Sequence, residues 1–200
     1  MINTISGVIL AGGAGNRFDG ATKSNIVIDG KTIISRIIET ITNLFGEIII
    51  VTNTPEEFIE HNNCKIISDQ ILKAGPLGGI HAALKASSNK AIFVFAGDMP
   101  FLDKKFIIRQ IDSYNSNNCD VLIPKIGEYQ EPLHSICNHT LMKPLEEYLS
   151  EAHDYAVREF FKKVNARYLQ FDESEGTKKA FTNINSPSDI SEIGRILGNG

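Results

Sequence analysis

The sequence is poor in cysteine, lacks tryptophan and has no long apolar run. Its three cysteines, Cys64, Cys119 and Cys137, are an odd number without CxxC spacing, so we expect reduced thiols in a cytoplasmic protein rather than a disulfide framework. No segment approaches the roughly 20 apolar residues that a membrane-spanning helix needs, and the start of the chain lacks a signal-peptide pattern. The five histidines show neither HxH nor HExxH spacing, which disfavours a histidine-based metal centre.

Charge is also modest, at 22% of residues with a net charge of −4 at pH 7. A chain with this balance has no overall attraction for nucleic acid or an anionic membrane, so neither is expected as a partner and any basic ligand site must be local. Hydrophobic residues make up 42% of the 200 positions, enough for a substantial core. Because no linker, repeat or low-complexity tract interrupts the chain, we expect one domain over residues 1–200.

Four strand-like segments carry a continuous apolar run instead of alternating with polar residues, which is typical of parallel strands covered by helices on both faces. They span residues 8–10, 47–52, 65–68 and 91–95. The other predicted elements are strands at 121–123, 133–136 and 168–171 and helices at 32–45, 80–86, 104–114, 140–149, 157–164 and 188–197. The polar stretch 173–179 is predicted to be a surface loop. The pattern therefore predicts an α/β fold, a three-layer sandwich with a mostly parallel central sheet.

The first predicted strand ends in a cluster of glycines that includes Gly12 and Gly13, with Arg17 and Lys23 following. Glycines allow positive φ and close approach of the backbone, so successive N–H groups can hold phosphate oxygens. The two cationic side chains would add donors for the same anion. Taken alone, the segment is better explained as an ordinary turn between a strand and a loop, and the phosphate-binding interpretation depends on the rest of the chain.

Two common phosphate motifs nearly fit this loop and fail on local grounds. A dinucleotide fingerprint GxGxxG would start at Gly13, but Phe18 occupies the position of its third glycine. A P-loop would run from Gly15 to Gly20 and requires an immediate lysine, whereas Ala21 and Thr22 come before Lys23. The first failure disfavours an NAD-dependent oxidoreductase.

Polar residues follow three of the apolar strands at their carboxyl ends. Asn53 and Asp69 each come directly after one of them, and Asp98 follows the segment 91–95 after Ala96 and Gly97. Ligands of open α/β sheets bind beyond the carboxyl ends of the strands, so we expect these residues at one edge of the sheet with Gly12 and Lys23. Asp98 is a candidate Mg²⁺ ligand, the remaining positions going to phosphate and water, or else a cap of its turn. Asp69 either contacts a nucleotide or caps its loop.

The full set of motifs resembles the molybdenum cofactor guanylyltransferase family, a group of Rossmann-like nucleotidyltransferases. The matching segments are Leu10-Ala11-Gly12-Gly13-x-x-x-Arg17 with Lys23, Gly75-Pro76-Leu77-Gly78-Gly79, Gly97-Asp98-Met99-Pro100 and Asn183-x-Asn185-x-Pro187. The first element specifies the class, and its combination with the others narrows it to the family. The resemblance covers about residues 6–193, nearly the whole chain.

The resemblance implies a role for each matching residue. Leu10, Ala11 and Gly12 match backbone contacts to GTP, Lys23 a phosphate-binding lysine, Asp69 a nucleotide-contacting aspartate, Asp98 the ligand of Mg²⁺ and GTP, and Asn183 with Asn185 a pair on the molybdopterin side. The implied reaction joins GMP from GTP to molybdopterin and releases pyrophosphate. Arg17 and Lys23 would stabilise the charge of the transferring group. The resemblance leaves room for other cofactor-biosynthesis proteins as partners.

Several positions depart from the family pattern. Val51 stands where an asparagine is frequent, Thr22 replaces an aspartate, and Tyr155 stands where an arginine is common. The last departure leaves the identity of the acceptor open. One alternative is a related nucleotidyltransferase that uses CTP or another phosphorylated acceptor. A second alternative is a regulatory protein that binds a nucleotide and catalyses no transfer. The segment 131–134 is a candidate wall of the acceptor pocket, in which His134 is expected to be an ordinary semi-buried histidine.

Overall fold

The computed structural model describes residues 2–12, 17–18, 21–71, 74–151, 155–184 and 189. The strands are β1 Ile5–Leu10, β2 Arg17–Phe18, β3 Ala21–Thr22, β4 Val27–Ile28, β5 Lys31–Thr32, β6 Ile48–Val51, β7 Lys65–Ile67, β8 Ala91–Ala96, β9 Val121–Ile126, β10 Tyr129–Gln130, β11 Ile136–Asn138 and β12 Ala166–Phe171. The α-helices are α1 Ile33–Ile41, α2 Pro76–Ala86, α3 Lys104–Asn115, α4 Met142–Glu151, α5 Val157–Phe161 and α6 Glu175–Ala180. Short 3₁₀ helices cover Lys23–Asn25, Pro55–Phe58 and His139–Leu141.

One large sheet forms the centre of the molecule, with the strand order β10-β9-β11-β8-β1-β6-β7, and β12 pairs separately with β9. The central strand β1 is parallel to both β6 and β8, and β6 is parallel to β7. Only β11, which is antiparallel to β8 and β9, and the hairpin partner β10 depart from this direction in the large sheet as described. The prediction of a mostly parallel central sheet is confirmed.

Helices cover both faces of this sheet because alternate residues of each central strand point to opposite sides. Ile5 and Ile9 of β1 belong to a core cluster that also contains buried residues of α1 and α3. Val8 of the same strand belongs to a second cluster, formed with α2, α4 and α5. The three-layer arrangement is thus present. In the part of the chain that the structure describes, no helix is both long and apolar enough to cross a membrane.

The structure corrects several predicted bounds: α1 ends at Ile41 instead of residue 45, α5 ends at Phe161 instead of residue 164, and three other segments differ more. Helix α2 begins at Pro76 instead of residue 80, since proline is well suited to the first helical position. The predicted loop 173–179 is largely helix α6, whose first turn is capped by the Ser174 side chain. The strand predicted at 133–136 begins only at Ile136. The helix predicted at 188–197 lies outside the described residues, apart from residue 189.

Candidate active site

A cleft opens at the carboxyl ends of β1 and β8, where the sequence pattern placed the ligand. Its walls come from the β1 end, the 3₁₀ turn after β3, the start of α2 and the loop after β8. The lining residues are Leu10, Ala11, Gly12, Thr22, Lys23, Ser24, Pro76, Ala96, Gly97, Asp98 and Leu133. Two chain segments far apart in sequence therefore contribute the charged groups of one site.

The charged centre of this cleft is an ion pair between Lys23 and Asp98. Lys23 Nζ lies 3.7 Å from Asp98 Oδ2, and the two side chains are only 13% and 18% exposed. Burial raises the pKa of Asp98 above its usual value, and the positive charge of Lys23 opposes that rise only in part. The carboxylate is thus poorly compensated in the free protein, and a further positive charge at this position would be favourable.

Backbone contacts fix the loop that carries Asp98. The Gly97 amide donates to the Leu10 carbonyl at 3.0 Å, so the ends of β8 and β1 approach closely. A Cβ atom at Gly97 would lie 2.7 Å from the Leu10 oxygen, which only glycine avoids. On the other side of the loop, the Ile184 amide donates to the Asp98 carbonyl at 2.9 Å. The position of the carboxylate is therefore set by main-chain bonds to two separate segments.

A second, smaller cavity adjoins the first beside β6 and β7. It is lined by Leu10, Gly12, Val51, Thr52, Asn53, Asp69, Gly75, Pro76 and Gly79. Because it shares Leu10, Gly12 and Pro76 with the cleft, a single extended ligand can occupy both. Asn53 is at the edge predicted for it, whereas its neighbour Val51 offers only an apolar side chain.

Asp69 in this second cavity is held by one main-chain bond. Its Oδ1 accepts from the Ile71 amide at 2.8 Å. Burial raises the pKa of Asp69, although the Ile71 bond and the charge of His81 act in the opposite direction. A Cβ at Gly78 would lie 2.4 Å from Asp69 Oδ2, so the glycine of α2 is what lets the carboxylate rest against the helix.

Asn183 lies on a third side of the site, beside the carboxylate of Glu131 in the segment 131–134, which the sequence analysis names as a candidate wall of the acceptor pocket. Asn183 donates to Glu131, whose pKa is raised by burial and by the negative charge of Asp98, while Arg158 lowers it. Leu133 of the same segment lines the cleft. Its neighbour His134 does not: it is fully buried at 2% exposure, so the expectation of a semi-buried histidine was wrong.

The predicted site residues are brought together to different extents. Leu10, Ala11, Gly12, Lys23 and Asp98 line the cleft, and Asp69 lines the adjoining cavity. The Ala11 amide, however, donates to the Val51 carbonyl at 2.9 Å and is not available to a phosphate. Gly13, Asn185 and the Arg17 side chain lie outside the described residues.

Sequence reasoning missed Ser24, which is next to Lys23 in the cleft wall. Its hydroxyl is buried and has no hydrogen-bond partner in the structure as described. The residue carries no motif signal of its own, since a serine after a lysine is common, and only the three-dimensional packing reveals it.

Comparison with known proteins identifies the group to which this architecture belongs. A family model described as the MobA-like NTP transferase domain matches residues 7–168. The chain belongs to this family. A relative from Natranaerobius thermophilus named probable molybdenum cofactor guanylyltransferase is 36% identical over 207 residues, covering 99% of this chain and 98% of the relative. The family resemblance inferred from the motifs is therefore confirmed.

Solved structures of the same fold agree with this assignment. The molybdopterin-guanine dinucleotide biosynthesis protein A of Archaeoglobus fulgidus superposes with a TM-score of 0.81 at 24% identity, covering 98% of this chain and 100% of its own. A 4-diphosphocytidyl-2C-methyl-D-erythritol synthase from Anaerococcus prevotii superposes with a TM-score of 0.73 at 16% identity, covering 98% and 96%. Members of the MobA-like family thus share this Rossmann-like sandwich with more distant proteins, and the predicted fold class is confirmed.

Proposed function

We propose that this protein transfers GMP from GTP to a molybdopterin-type cofactor, releasing pyrophosphate and forming the guanine dinucleotide cofactor. The main support for the proposal is the ion pair between Lys23 and Asp98, with Nζ and Oδ2 3.7 Å apart. It lies in a cleft beside the backbone at the end of β1. The near full-length relative named for guanylyltransferase activity supports the choice of nucleotide and acceptor. The three unpaired cysteines favour a reducing, cytoplasmic setting.

The residues present fit a Mg²⁺ ion at Asp98. Mg²⁺ is usually held by one or two carboxylates together with substrate phosphates and water, and Asp98 is a buried carboxylate with too little positive charge nearby. Among the residues described, no three His, Cys, Asp or Glu side chains come together as a closed metal site. When bound, Mg²⁺ supplies charge neutralisation and orientation of the phosphate oxygens.

The reaction is an in-line displacement at the α-phosphorus of GTP. A phosphate oxygen of the acceptor forms the new P–O bond, the bond to the β-phosphate oxygen breaks, and pyrophosphate leaves with the electron pair. Such transfers depend on positioning and electrostatic stabilisation rather than on covalent side-chain chemistry. In this proposal Lys23 stabilises the negative charge of the transferring group. An acceptor phosphate that is already ionised needs no general base.

In this proposal the two cavities bind different parts of GTP. Gly12 joins them, so the triphosphate would lie beside Lys23 and Asp98 while the nucleoside reaches Asp69 and Asn53. The acceptor would approach from the side of Asn183, whose amide is oriented by its bond to Glu131. That other cofactor-biosynthesis proteins deliver this acceptor is a prediction that rests on the family resemblance.

Pyrophosphate release measured with GTP, Mg²⁺ and molybdopterin tests the proposal directly, with CTP, ATP and UTP assayed in parallel. We expect turnover with GTP that depends on the acceptor. Preference for CTP, or turnover with a different phosphorylated acceptor, would replace the proposal with the related-transferase alternative. Nucleotide binding without pyrophosphate release from any pair would instead indicate a regulator.

Substitution of Asp98 tests the metal role in the same assay. Asp98→Ala should abolish Mg²⁺-dependent turnover while leaving the fold intact, since the side chain is at the cleft surface and not in the apolar core. Turnover retained by a folded Asp98→Ala protein would remove the metal role of this carboxylate.

A further inference from the structure

Lys23 sits on a segment that has little stability of its own. It begins a single 3₁₀ turn, Lys23–Asn25, closed by one main-chain bond from the Ile26 amide to the Lys23 carbonyl at 3.1 Å. Thr22 is the N-terminal cap of this turn, but its side chain makes no capping bond within it. Isolated turns of this length are marginal in water, so contacts from elsewhere must fix the direction in which Lys23 points.

Those contacts come from Glu57, far along the chain. Glu57 Oε2 accepts from Thr22 Oγ1 at 2.6 Å and from Asn25 Nδ2 at 2.8 Å. One carboxylate oxygen therefore binds the residue before Lys23 and the residue at the end of the same turn. Hydrogen bonds to an ionised acceptor are roughly twice as strong as neutral ones. The pKa of Glu57 is lowered, with the Thr22 bond as the main cause, so the acceptor is ionised at neutral pH.

The element that carries Glu57 is itself well anchored. It is the 3₁₀ helix Pro55–Phe58, which follows β6 at the edge of the sheet where the cleft lies. Phe58 has no exposed surface and packs in the main core cluster. The Glu57 amide donates to the Thr54 carbonyl at 3.0 Å. The Glu57 carboxylate therefore fixes the Lys23 turn relative to the sheet.

We infer that Glu57 is a positioning residue, which orients the Lys23 ammonium toward Asp98 and the substrate phosphates by holding both sides of the Lys23 turn. Glu57 does not line the cleft, so it acts through Lys23 and touches no substrate. The inference rests on the proposed function for its kinetic consequence, but the hold on the turn is a property of the free protein.

The kinetic experiment compares Glu57→Ala and Glu57→Gln with Glu56→Ala as a matched control. Glu56 is the neighbouring carboxylate on the same 3₁₀ helix and is exposed. Misplacement of a reacting group by about 1 Å can cost about 100-fold in rate, so we expect Glu57→Ala to lower kcat by about 10- to 100-fold at saturating GTP. Glu57→Gln keeps an acceptor oxygen and should recover most of this loss, while Glu56→Ala should leave kcat unchanged.

A double-mutant cycle separates positioning from general destabilisation. Residues that act as one unit give non-additive losses, so adding Glu57→Ala to a Lys23→Ala protein should lower kcat no further. If the two losses multiply instead, Glu57 does not act through Lys23 and the inference is overturned. A structural role alone would predict that multiplication.

Amide hydrogen exchange tests the hold on the turn without any substrate. The Ile26 amide closes the turn, and its exchange should be faster in Glu57→Ala than in wild type or Glu56→Ala, with Glu57→Gln between them. Unchanged exchange in Glu57→Ala would overturn the inference even if turnover fell. A wild-type protein that transfers no GMP would refute the proposed function alone, because the exchange measurement still decides the role of Glu57.

Discussion

The buried imidazole of His134 makes the fold sensitive to mild acid, and the size of the effect follows from its surroundings. The ring packs against three aromatic rings, with centroids 5.1 Å from Phe93, 5.3 Å from Phe95 and 4.8 Å from Phe181. His134 Nδ1 lies 3.0 Å from Gln110 Oε1, and Gln110 Nε2 donates to the His134 carbonyl at 2.8 Å. Burial in this setting lowers the pKa of His134 to about 3.

The direction and size of the change in the free energy of unfolding with pH follow from proton linkage. The unfolded chain takes up a proton near its ordinary pKa of 6.5, whereas the folded protein keeps His134 neutral down to about pH 3. The contribution of His134 to stability is therefore complete above pH 6.5 and declines as the pH falls toward the folded-state value. Between pH 7 and pH 5 it should reduce the free energy of unfolding by about 2 kcal/mol.

Urea unfolding at pH 7, 6 and 5 measures this effect when His134→Gln is followed beside the wild type. At pH 7 the variant should have the lower free energy of unfolding, because the substitution disturbs packed rings. The difference in free energy of unfolding between the two proteins should be about 2 kcal/mol smaller at pH 5. Carboxylates common to both proteins cancel in the difference. Parallel pH profiles for the two proteins would refute the reasoning, since they would mean that His134 takes up a proton in the folded protein as readily as in the unfolded chain.

Three further predictions concern the cleft. Ser24→Ala should leave the free energy of unfolding unchanged or raise it by about 1 kcal/mol in thermal melts, because it removes a buried hydroxyl without a partner; a clear loss of stability would contradict this. Gly78→Ala should retain the fold but weaken GTP binding in calorimetry, since its Cβ displaces the Asp69 carboxylate; wild-type affinity would count against a nucleotide contact by Asp69. Lys23→Ala should lower the rate of pyrophosphate release by about 10²–10³-fold, the cost of losing one preorganised charge stabiliser; an unchanged rate would remove Lys23 from the mechanism.

The parallel half of the sheet was predictable because its strands are buried on both sides. The segments 47–52 and 91–95 each carry a continuous apolar run, and both form strands that are parallel neighbours of β1. The antiparallel β11 was not predictable in the same way. It has three residues, and its direction is decided by which strands it pairs with, a property that no local pattern of side chains contains.

Helix α6 shows where polarity misleads. Its segment is rich in charged residues, and only Thr177 and Ala180 are buried, so it offers almost no apolar periodicity. The helix is stabilised instead by its cap: the Ser174 side chain accepts from the Thr177 amide, and Asp172 accepts from the Ser174 and Thr177 hydroxyls. Capping of this kind outweighs weak periodicity in a short helix.

The candidate site divides along similar lines. Lys23 and Asp98 could be assigned to the same edge of the sheet from the sequence. Asp98 lies beyond the end of a predicted strand, and Lys23 follows the glycine cluster after the first strand. The contacts of Glu57 with Thr22 and Asn25 could not, since they depend on how the small β2–β3 hairpin sits against the end of β6. The segment that contains Glu131 could be named as a candidate wall of the acceptor pocket, but the hydrogen bond of Glu131 with Asn183 could not be predicted from the sequence.

The bond from the Ile184 amide to the Asp98 carbonyl has a consequence for biosynthesis on the ribosome. Ile184 is completely buried, yet it is translated long after β8 and the loop that it secures. A nascent chain stalled upstream of this residue would already hold the strands of the parallel half, but its Asp98 loop would lack this tether. Competence to capture a nucleotide should therefore arise only after Ile184 has been translated, when the strands of the parallel half are already complete.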